Sequence, residues 1–462
     1  MDKSKMVTGG IFKTLFAFSL PLVIINIVQL LFHSADIAVL GIMATDADVA
    51  AVGACGSLIS LLLCVFSGYS SAANVVVAKR VGAQDVEGAR RATGNALVVG
   101  FMSGVLLMTI TLIFAEKFLV MMNCQPEVLE QATLYLRIYF AGMPIIMLYN
   151  FVAAILRATG DSLRPMIYMI SSGVLNVLLN ALFVGVFGMA VAGVALATVL
   201  SNAAALVAAL ITLARNKDYC KVEAKNIRLR RAEFSEIIRI GVPSCLCGIF
   251  FYLGEVIVVS AMNSISTDAM TANAIASQLD RFTYSIGSSI AVASGVMVAQ
   301  NYGAGKIERI PKIMMIASLY LSSVIISLSC ILTVFANLIL GIFTDSDAVV
   351  ELAKQRFILL AFTNFITCTS EVYSNAVRAL KRPRSLMVVG FVCGLVIRGV
   401  WPYTVWQLAK TIPMLFICFP ASTLVGCVIY DFVYRGAMKE IKRDVGSDSA
   451  SESQTAEISP AT

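Results

Sequence analysis

Residues Ile11 to Gly41 read I-F-K-T-L-F-A-F-S-L-P-L-V-I-I-N-I-V-Q-L-L-F-H-S-A-D-I-A-V-L-G, an apolar run with Pro21 inside it and Asp36 near its far end. About 20 such residues cover a hydrocarbon core roughly 30 Å thick, so the run reads as a membrane-crossing helix. A carboxylate at that depth costs about 2.5–3.5 kcal/mol on the insertion scale, and Asp36 is therefore expected to face a cavity rather than lipid. The stretch reads as a bent lever carrying a cation-binding carboxylate, with the other helices as walls around it.

Composition extends this reading to the whole chain. The 462 residues are 58% hydrophobic and 14% charged, against about 25% charge in a soluble domain. Mean hydropathy is +0.85. The fold class expected is an all-α polytopic membrane protein. The net charge of +7 is carried in alternate loops and forms no basic stripe interleaved with aromatics, which argues against a nucleic-acid partner. The eleven cysteines are scattered through apolar segments, and Cys245 and Cys247 form C-x-C, so neither metal-site spacing nor a disulfide framework is expected. No cleavable signal peptide is read at the start; the first apolar run itself is expected to direct insertion.

Breaks at charged and Gly/Pro-rich positions divide the chain into twelve candidate spans, at 12–40, 49–77, 92–115, 132–156, 165–187, 190–213, 237–262, 270–299, 313–340, 356–377, 386–406 and 411–434. Of the 35 Lys and Arg, 28 fall in one set of alternate loops and 6 in the other, with Arg398 inside a span. That asymmetry predicts a multi-pass protein of the cytoplasmic membrane with both termini inside. The basic loop 215–239 divides the chain in two. Pro21 pairs with Pro243 at an offset of 222; Gly82-Ala83 with Gly303-Ala304, and Arg157-Ala158 with Arg378-Ala379, pair at 221. Six spans per half put both halves in the same orientation, two bundles related by a pseudo-two-fold axis along the membrane normal. The expected domains are an N-lobe (1–214), a basic linker (215–239), a C-lobe (240–435) and a disordered cytoplasmic tail (436–462), the last from its polar composition. Two like bundles facing across an axis enclose a cavity suited to alternating access.

Charged residues within the spans mark the chemistry. At about 1.5 Å per residue, Asp36 lies about 30 Å up the first span, and Asn176 and Asn180 about 17–23 Å up the fifth. Thr198 lies about 15 Å below the outer surface on the sixth. Asn176 and Asn180 share a helix face at i, i+4. A carboxylate with amide and hydroxyl oxygens suits Na⁺ or an exchangeable proton; the plainer reading is interhelical hydrogen bonding. His33, one turn before Asp36, could relay a proton. In the second half, Glu255 and Glu371 could hold a cation or a cationic substrate, and Asp280 is expected to pair locally with Arg281. Pro21 and Pro243 each remove a helical hydrogen bond and are candidate hinges.

These residues sit in motifs that resemble the multidrug and toxic compound extrusion (MATE) family: S-L-P-L with Asp36, V-V-V-A-K-R-V-G-A at 75–83, and I-L-R-A-T-G-D at 155–161. N-V-L-L-N with G-V-A-L-A-T at 176–198, V-A-Q-N-Y-G-A-G at 298–305 and S-E-V-Y-S-N-A-V-R-A at 370–379 complete the set. Over residues 10–435 the resemblance implies efflux of organic cations driven by inward Na⁺ or H⁺ flow. It also implies an N-lobe cation site on Asp36 with Tyr135, Asn150, Asn176, Asn180 and Thr198, and a C-lobe acid at Glu371. Two positions depart from the family pattern: Asn180 stands where Asp is frequent, and Glu255 where an uncharged residue is frequent.

The function expected is a secondary antiporter for amphipathic, mostly cationic small molecules, acting as a monomer without a cofactor. No nucleophile–base pair or phosphate-cradling Gly-Lys-Ser/Thr loop is present, so neither covalent chemistry nor ATP is called for. A lipid-linked glycan flippase is the nearest rival, but it would want a cationic cavity. A non-transporting scaffold gains nothing from buried acids.

Overall fold

The computed structural model describes residues 5–457 apart from 123, 216–218, 342, 343, 345 and 381, together with all side chains in that range except those of 33, 46, 224, 263, 362 and 445–457. The described chain is a bundle of twelve spans. In the first half they are α1 (Ile11–Met43), α2 (Asp46–Gly82), α3 (Val86–Met121), α4 (Pro126–Ala141 with Met143–Ala158), α5 (Leu163–Val186) and α6 (Ala190–Arg215). In the second they are α7 (Arg231–Asn263), α8 (Thr267–Gly303), α9 (Arg309–Val334 with Ala336–Gly341), α10 (Asp347–Ala379), α11 (Arg384–Leu408) and α12 (Ile412–Phe416 with Cys418–Glu457).

Among the described residues ten helices are long and apolar enough to cross a membrane, or eleven with the two pieces of α4 taken as one. The span outside that set is α10, which carries Asp347, Glu351, Lys354, Arg356, Glu371 and Arg378. It packs on α8, α9 and α12 inside its lobe, where Arg356 is buried, while Asp347 and Glu351 at its first turns are exposed.

Local chemistry sets several boundaries. Thr45 opens α2 with a capping box: its hydroxyl accepts from the Asp48 amide at 3.3 Å, and the Asp48 carboxylate accepts from the Thr45 amide at 3.1 Å. Asp85 and Ser266 cap α3 and α8 in the same way, accepting from the Gly88 and Ala269 amides. The span expected as a single helix over 132–156 is two helices bent by 49° at Gly142. Pro144, two residues on, has no N–H to give back to Phe140, and that missing bond places the break. In α12 the backbone does not stop at 435 where the sequence turns polar. It stays helical to Glu457, through most of the segment expected to be a disordered tail. Once a helix exists, each added residue fixes one more bond at little cost, and only the nucleus is expensive.

The two lobes meet along α2 against α7 and along α1 against α8. At the end that carries the linker, α2 and α8 cross almost backbone to backbone. A Cβ on Gly82 would collide with the Gln300 carbonyl, and one on Gly303 with the Lys79 carbonyl. The two collisions are related by the 221-residue offset (79 to 300, 82 to 303), so the pseudo-two-fold axis runs through this crossing. Further bonds tie the lobes here. Gln300 Nε2 donates to the Ala158 carbonyl at 2.7 Å, Asn301 Nδ2 to Met6 O at 3.1 Å and Arg309 to Gly9 O at 2.7 Å. Glu236 of α7 faces Lys79 and Arg80 of α2 at 3.9 and 3.4 Å. These contacts join the lobes at the basic end, beside a depression of about 770 Å³ lined by Lys79, Arg80, Glu236 and Gly303.

Candidate functional site

Between the lobes, away from the basic end, lies a cavity of about 590 Å³. Its walls come from α1, α2, α4, α5 and α6 of the first half and from α8 of the second, with Asp36, Tyr135, Asn150, Asn176 and Thr198 all on its lining. Every expected N-lobe site residue therefore reaches one space except Asn180, which stands behind that lining, fully buried.

Asp36 is held by neutral groups. Asn180 Nδ2 donates to Asp36 Oδ1 at 2.6 Å and to Asn176 Oδ1 at 3.3 Å. Asn176 Nδ2 in turn donates to the Thr198 hydroxyl at 3.3 Å, and that hydroxyl donates to the Val194 carbonyl at 3.0 Å. The i, i+4 spacing stacks the two amides on one face of α5, aimed at α1 and α6. Immediately after Asn180 the helix widens into a π-helical turn, Ala181–Val186, a feature frequent at functional positions. Among the described residues Asn180 Oδ1 is buried with no hydrogen-bond partner, and no Lys or Arg lies within ion-pair distance of Asp36. A carboxylate, an orphaned amide oxygen, a second amide oxygen and a hydroxyl are what a hard monovalent cation or a proton on Asp36 would use. Tyr135 adds its ring to the cavity lining, stacked on Tyr139 with centroids 6.0 Å apart. The side chain of His33 lies outside the described residues.

The C-lobe acids stay apart from this nest and from each other. Glu371 on α10 accepts from the Tyr284 hydroxyl at 3.3 Å. Arg378, two turns on, bonds Asn375 and Ser244 instead. Glu255 is exposed on α7. Asp280 does not pair with its neighbour Arg281: successive helical residues point about 100° apart, and Asp280 turns inward to meet Arg356 of α10 at 3.0 Å. Arg356 is buried, donates also to the Asn273 carbonyl at 3.5 Å and lies over the Phe416 ring. Arg281 faces the central cavity, so one cation stands on the C-lobe wall opposite the N-lobe acid.

The proline positions are in place, within continuous helices: Pro21 in the third turn of α1 and Pro243 in the fourth of α7. Each leaves the carbonyl four residues earlier (Ala17, Arg239) without its helical donor.

Among the cavity residues that escaped the sequence reading, three are polar groups with a readable signal. Tyr139 lies one turn beyond Tyr135 and follows from i+4 spacing. Asn202 donates to the Thr198 carbonyl at 2.8 Å, again one turn away. Asn26 reaches across to α8, donating to the Ser285 carbonyl at 3.3 Å and the Ser289 hydroxyl at 2.8 Å. An amide inside the Pro21–Asp36 run was the available signal for it.

Comparison with known proteins gives a consistent result. The MatE family profile matches twice, over residues 21–182 and 243–404, one match in each half. The chain is similar to the probable multidrug resistance protein YoeA of Bacillus subtilis (strain 168), 26% identical over 378 residues, 80% of this chain and 81% of that one. It is similar to the multidrug export protein MepA of Staphylococcus aureus (strain N315), 22% identical over 420 residues, 90% of this chain and 89% of that one. Among solved structures, the outward-facing conformation of a multidrug resistance MATE family transporter of the MOP superfamily aligns with a TM-score of 0.88 at 20% identity, over 96% of this chain and 99% of that one. The Vibrio cholerae MATE transporter VcmN aligns at 0.85 and 18%, over 94% and 98%.

Proposed function

This chain belongs to the MatE family, and from that premise we propose that it is a secondary antiporter exporting amphipathic, mainly cationic small molecules in exchange for Na⁺ or H⁺. The observation that carries the reading is Asp36: a carboxylate on a cavity between two lobes, bonded to a neutral amide and to no basic partner among the described residues. A structural acid at that depth would be paired, since an unpaired one costs several kcal/mol. An acid left free for an exchangeable cation has a reason to stay unpaired.

The basic end is then the cytoplasmic one, with both termini inside by the 28-to-6 bias of basic residues. The lobes are joined there at the Gly82 and Gly303 crossing, which leaves the cavity to the outer side. Arrival of Na⁺ or H⁺ at Asp36 removes the charge that holds a cationic substrate and changes what the Asn180 amide must bond. Pro21, with the Ala17 carbonyl lacking its donor, is the point in α1 where the change is taken up as a bend. Phe32, Tyr139, Tyr149, Met147 and Met169 supply an adaptable apolar lining for varied substrates. A single arginine on the cavity wall is too little cation for a pyrophosphate-linked cargo, which weighs against the flippase reading.

The test is ethidium efflux from vesicles under imposed Na⁺ or H⁺ gradients. Asp36→Asn is expected to lose gradient-driven efflux at least tenfold while still inserting. Efflux equal to wild type would remove Asp36 from the mechanism and the proposal with it.

A further inference from the structure

The C-lobe holds a buried charge that this scheme does not use. Arg398 on α11 is 8% exposed and has no carboxylate within ion-pair distance among the described residues. Its guanidinium is clamped between the rings of Phe251 on α7 and Phe419 on α12, with centroids 4.9 and 4.8 Å from Cζ. Its Nε donates to the Ser422 hydroxyl at 3.0 Å, and that hydroxyl donates onward to the Phe419 carbonyl. The two terminal nitrogens bond to no described group. Two rings and one hydroxyl thus surround the planar cation, and the edge that forks toward a carboxylate is bonded to no described group.

The backbone is arranged around this side chain. The eight residues before it, Gly390–Ile397, form a π-helical stretch, a departure from α-geometry that is costly without a use. Gly254 of α7 approaches so closely that a Cβ there would collide with the Gly394 carbonyl and stand 3.1 Å from Arg398 Cβ. Aromatic neighbours make a cation easier to bury, yet they supply no anion; Glu255 of α7 acts on Arg398 only from beyond ion-pair distance and leaves the forked edge unbonded among the described residues.

The repeat gives the place its meaning. In the N-lobe, α1, α5 and α6 build the nest of Asp36, Asn176, Asn180 and Thr198. Their counterparts in the C-lobe are α7, α11 and α12, the three helices that hold Arg398. At the 222-residue offset of the two family matches, Asn176 corresponds to Arg398. At 221, Thr198 corresponds to Phe419, one of the clamping rings. Within one residue of register, the C-lobe helices equivalent to those of the N-lobe nest thus carry a cation where that nest carries an amide.

We propose that the α7–α11–α12 pocket is an anion site in which Arg398 receives the carboxylate of an aromatic organic acid or zwitterion, with Phe251 and Phe419 beside its apolar body. The assignment concerns binding and stands apart from the antiport reading, because it can be tested in detergent with no gradient and no flux.

Both tryptophans of the chain, Trp401 and Trp406, lie on α11 within eight residues of Arg398, so intrinsic fluorescence reports on the pocket. The full-length protein in micelles is titrated with benzoate and, separately, with benzamide, which keeps the ring and loses the charge. Saturable change with benzoate and none with benzamide is expected. Arg398→Gln is expected to weaken benzoate at least tenfold, with Arg398→Lys between it and wild type. Should Arg398→Gln fail to give a monodisperse protein, Ser422→Ala frees the guanidinium edge and is expected to weaken benzoate several-fold. The proposal is overturned if benzoate and benzamide titrate alike on wild type, or if a folded Arg398→Gln binds benzoate as wild type does.

Discussion

Asp36 in the first lobe and Asp280 in the second are both half-buried acids within membrane spans, and they are handled in opposite ways. Asp280 has a guanidinium at 3.0 Å, itself backed by an aromatic ring. Asp36 has an amide at 2.6 Å and open cavity. A lobe that needs an acid only to join α8 to α10 supplies the counter-charge. On the antiport reading proposed above, a lobe that needs the acid to change state withholds it. Partner chemistry, more than burial, separates the structural charge from the working one.

The largest effect tests that separation directly. Asp280→Asn leaves Arg356 buried without its anion and is expected to cost about 3–5 kcal/mol, read as a lowered unfolding midpoint in micelles. Asp36→Asn removes no ion pair and keeps a neutral hydrogen-bonding group beside Asn180, so its cost is expected to stay within about 1 kcal/mol. The ordering is expected to invert for efflux, where Asp36→Asn should lose at least tenfold and Asp280→Asn far less. Equal destabilisation by the two variants would erase the distinction and make the Asp36 nest a structural joint.

How far the sequence led follows the same division. Rise per residue on three helices was enough to bring Asp36, Asn176, Asn180 and Thr198 to the outer half of the first bundle, because each distance is local to one helix. The paired halves were legible for the same reason, but that the matched Gly82 and Gly303 lie at one crossing, against Gln300 and Lys79, was not. The Asp280–Arg356 pair was not legible. It joins two helices 76 positions apart, and the adjacent Arg281 offered a false partner that only helical rotation excludes. Arg398 was visible as a charge inside a span, but its aromatic clamp depends on α7 and α12 arriving from distant sequence. The bend at Gly142 was available in the Gly-x-Pro spacing, and it is the hydropathy of 132–156, smooth across the break, that conceals it.

A smaller effect sharpens the comparison within the first lobe. Asn180→Asp places a second carboxylate against Asp36, on the face where the amide now donates. If an ion exchanges there, the added charge is expected to strengthen Na⁺ retention roughly tenfold, about 1.4 kcal/mol, seen as a lower Na⁺ concentration for half-maximal efflux. A variant whose Na⁺ and pH dependence both match wild type would place the coupling ion elsewhere, and the contrast between a working acid and a structural one would lose its first member.

The smallest effect concerns the linker that joins the two lobes. Glu223 contacts Lys225 at 3.0 Å, and Arg90 of α3 and Lys221 at 3.5 and 3.7 Å. The hydrogen bond from Lys225, then the charges around it, hold its carboxyl below the usual glutamate range. A depressed value means that the contribution is complete above the unfolded value of about 4.3 and is lost as pH falls through the folded one. At pH 6, Glu223→Gln should therefore speed amide exchange over 219–230, on the side of the linker tied to the N-lobe. Near pH 3, wild type and variant should exchange alike, because wild type has by then lost the same charge. The group faces solvent, so added salt should shrink the pH 6 difference. A difference that persists at pH 3 would mean that the side chain holds the linker by packing, and a change appearing instead on α7 would mean that the linker is anchored to the second lobe.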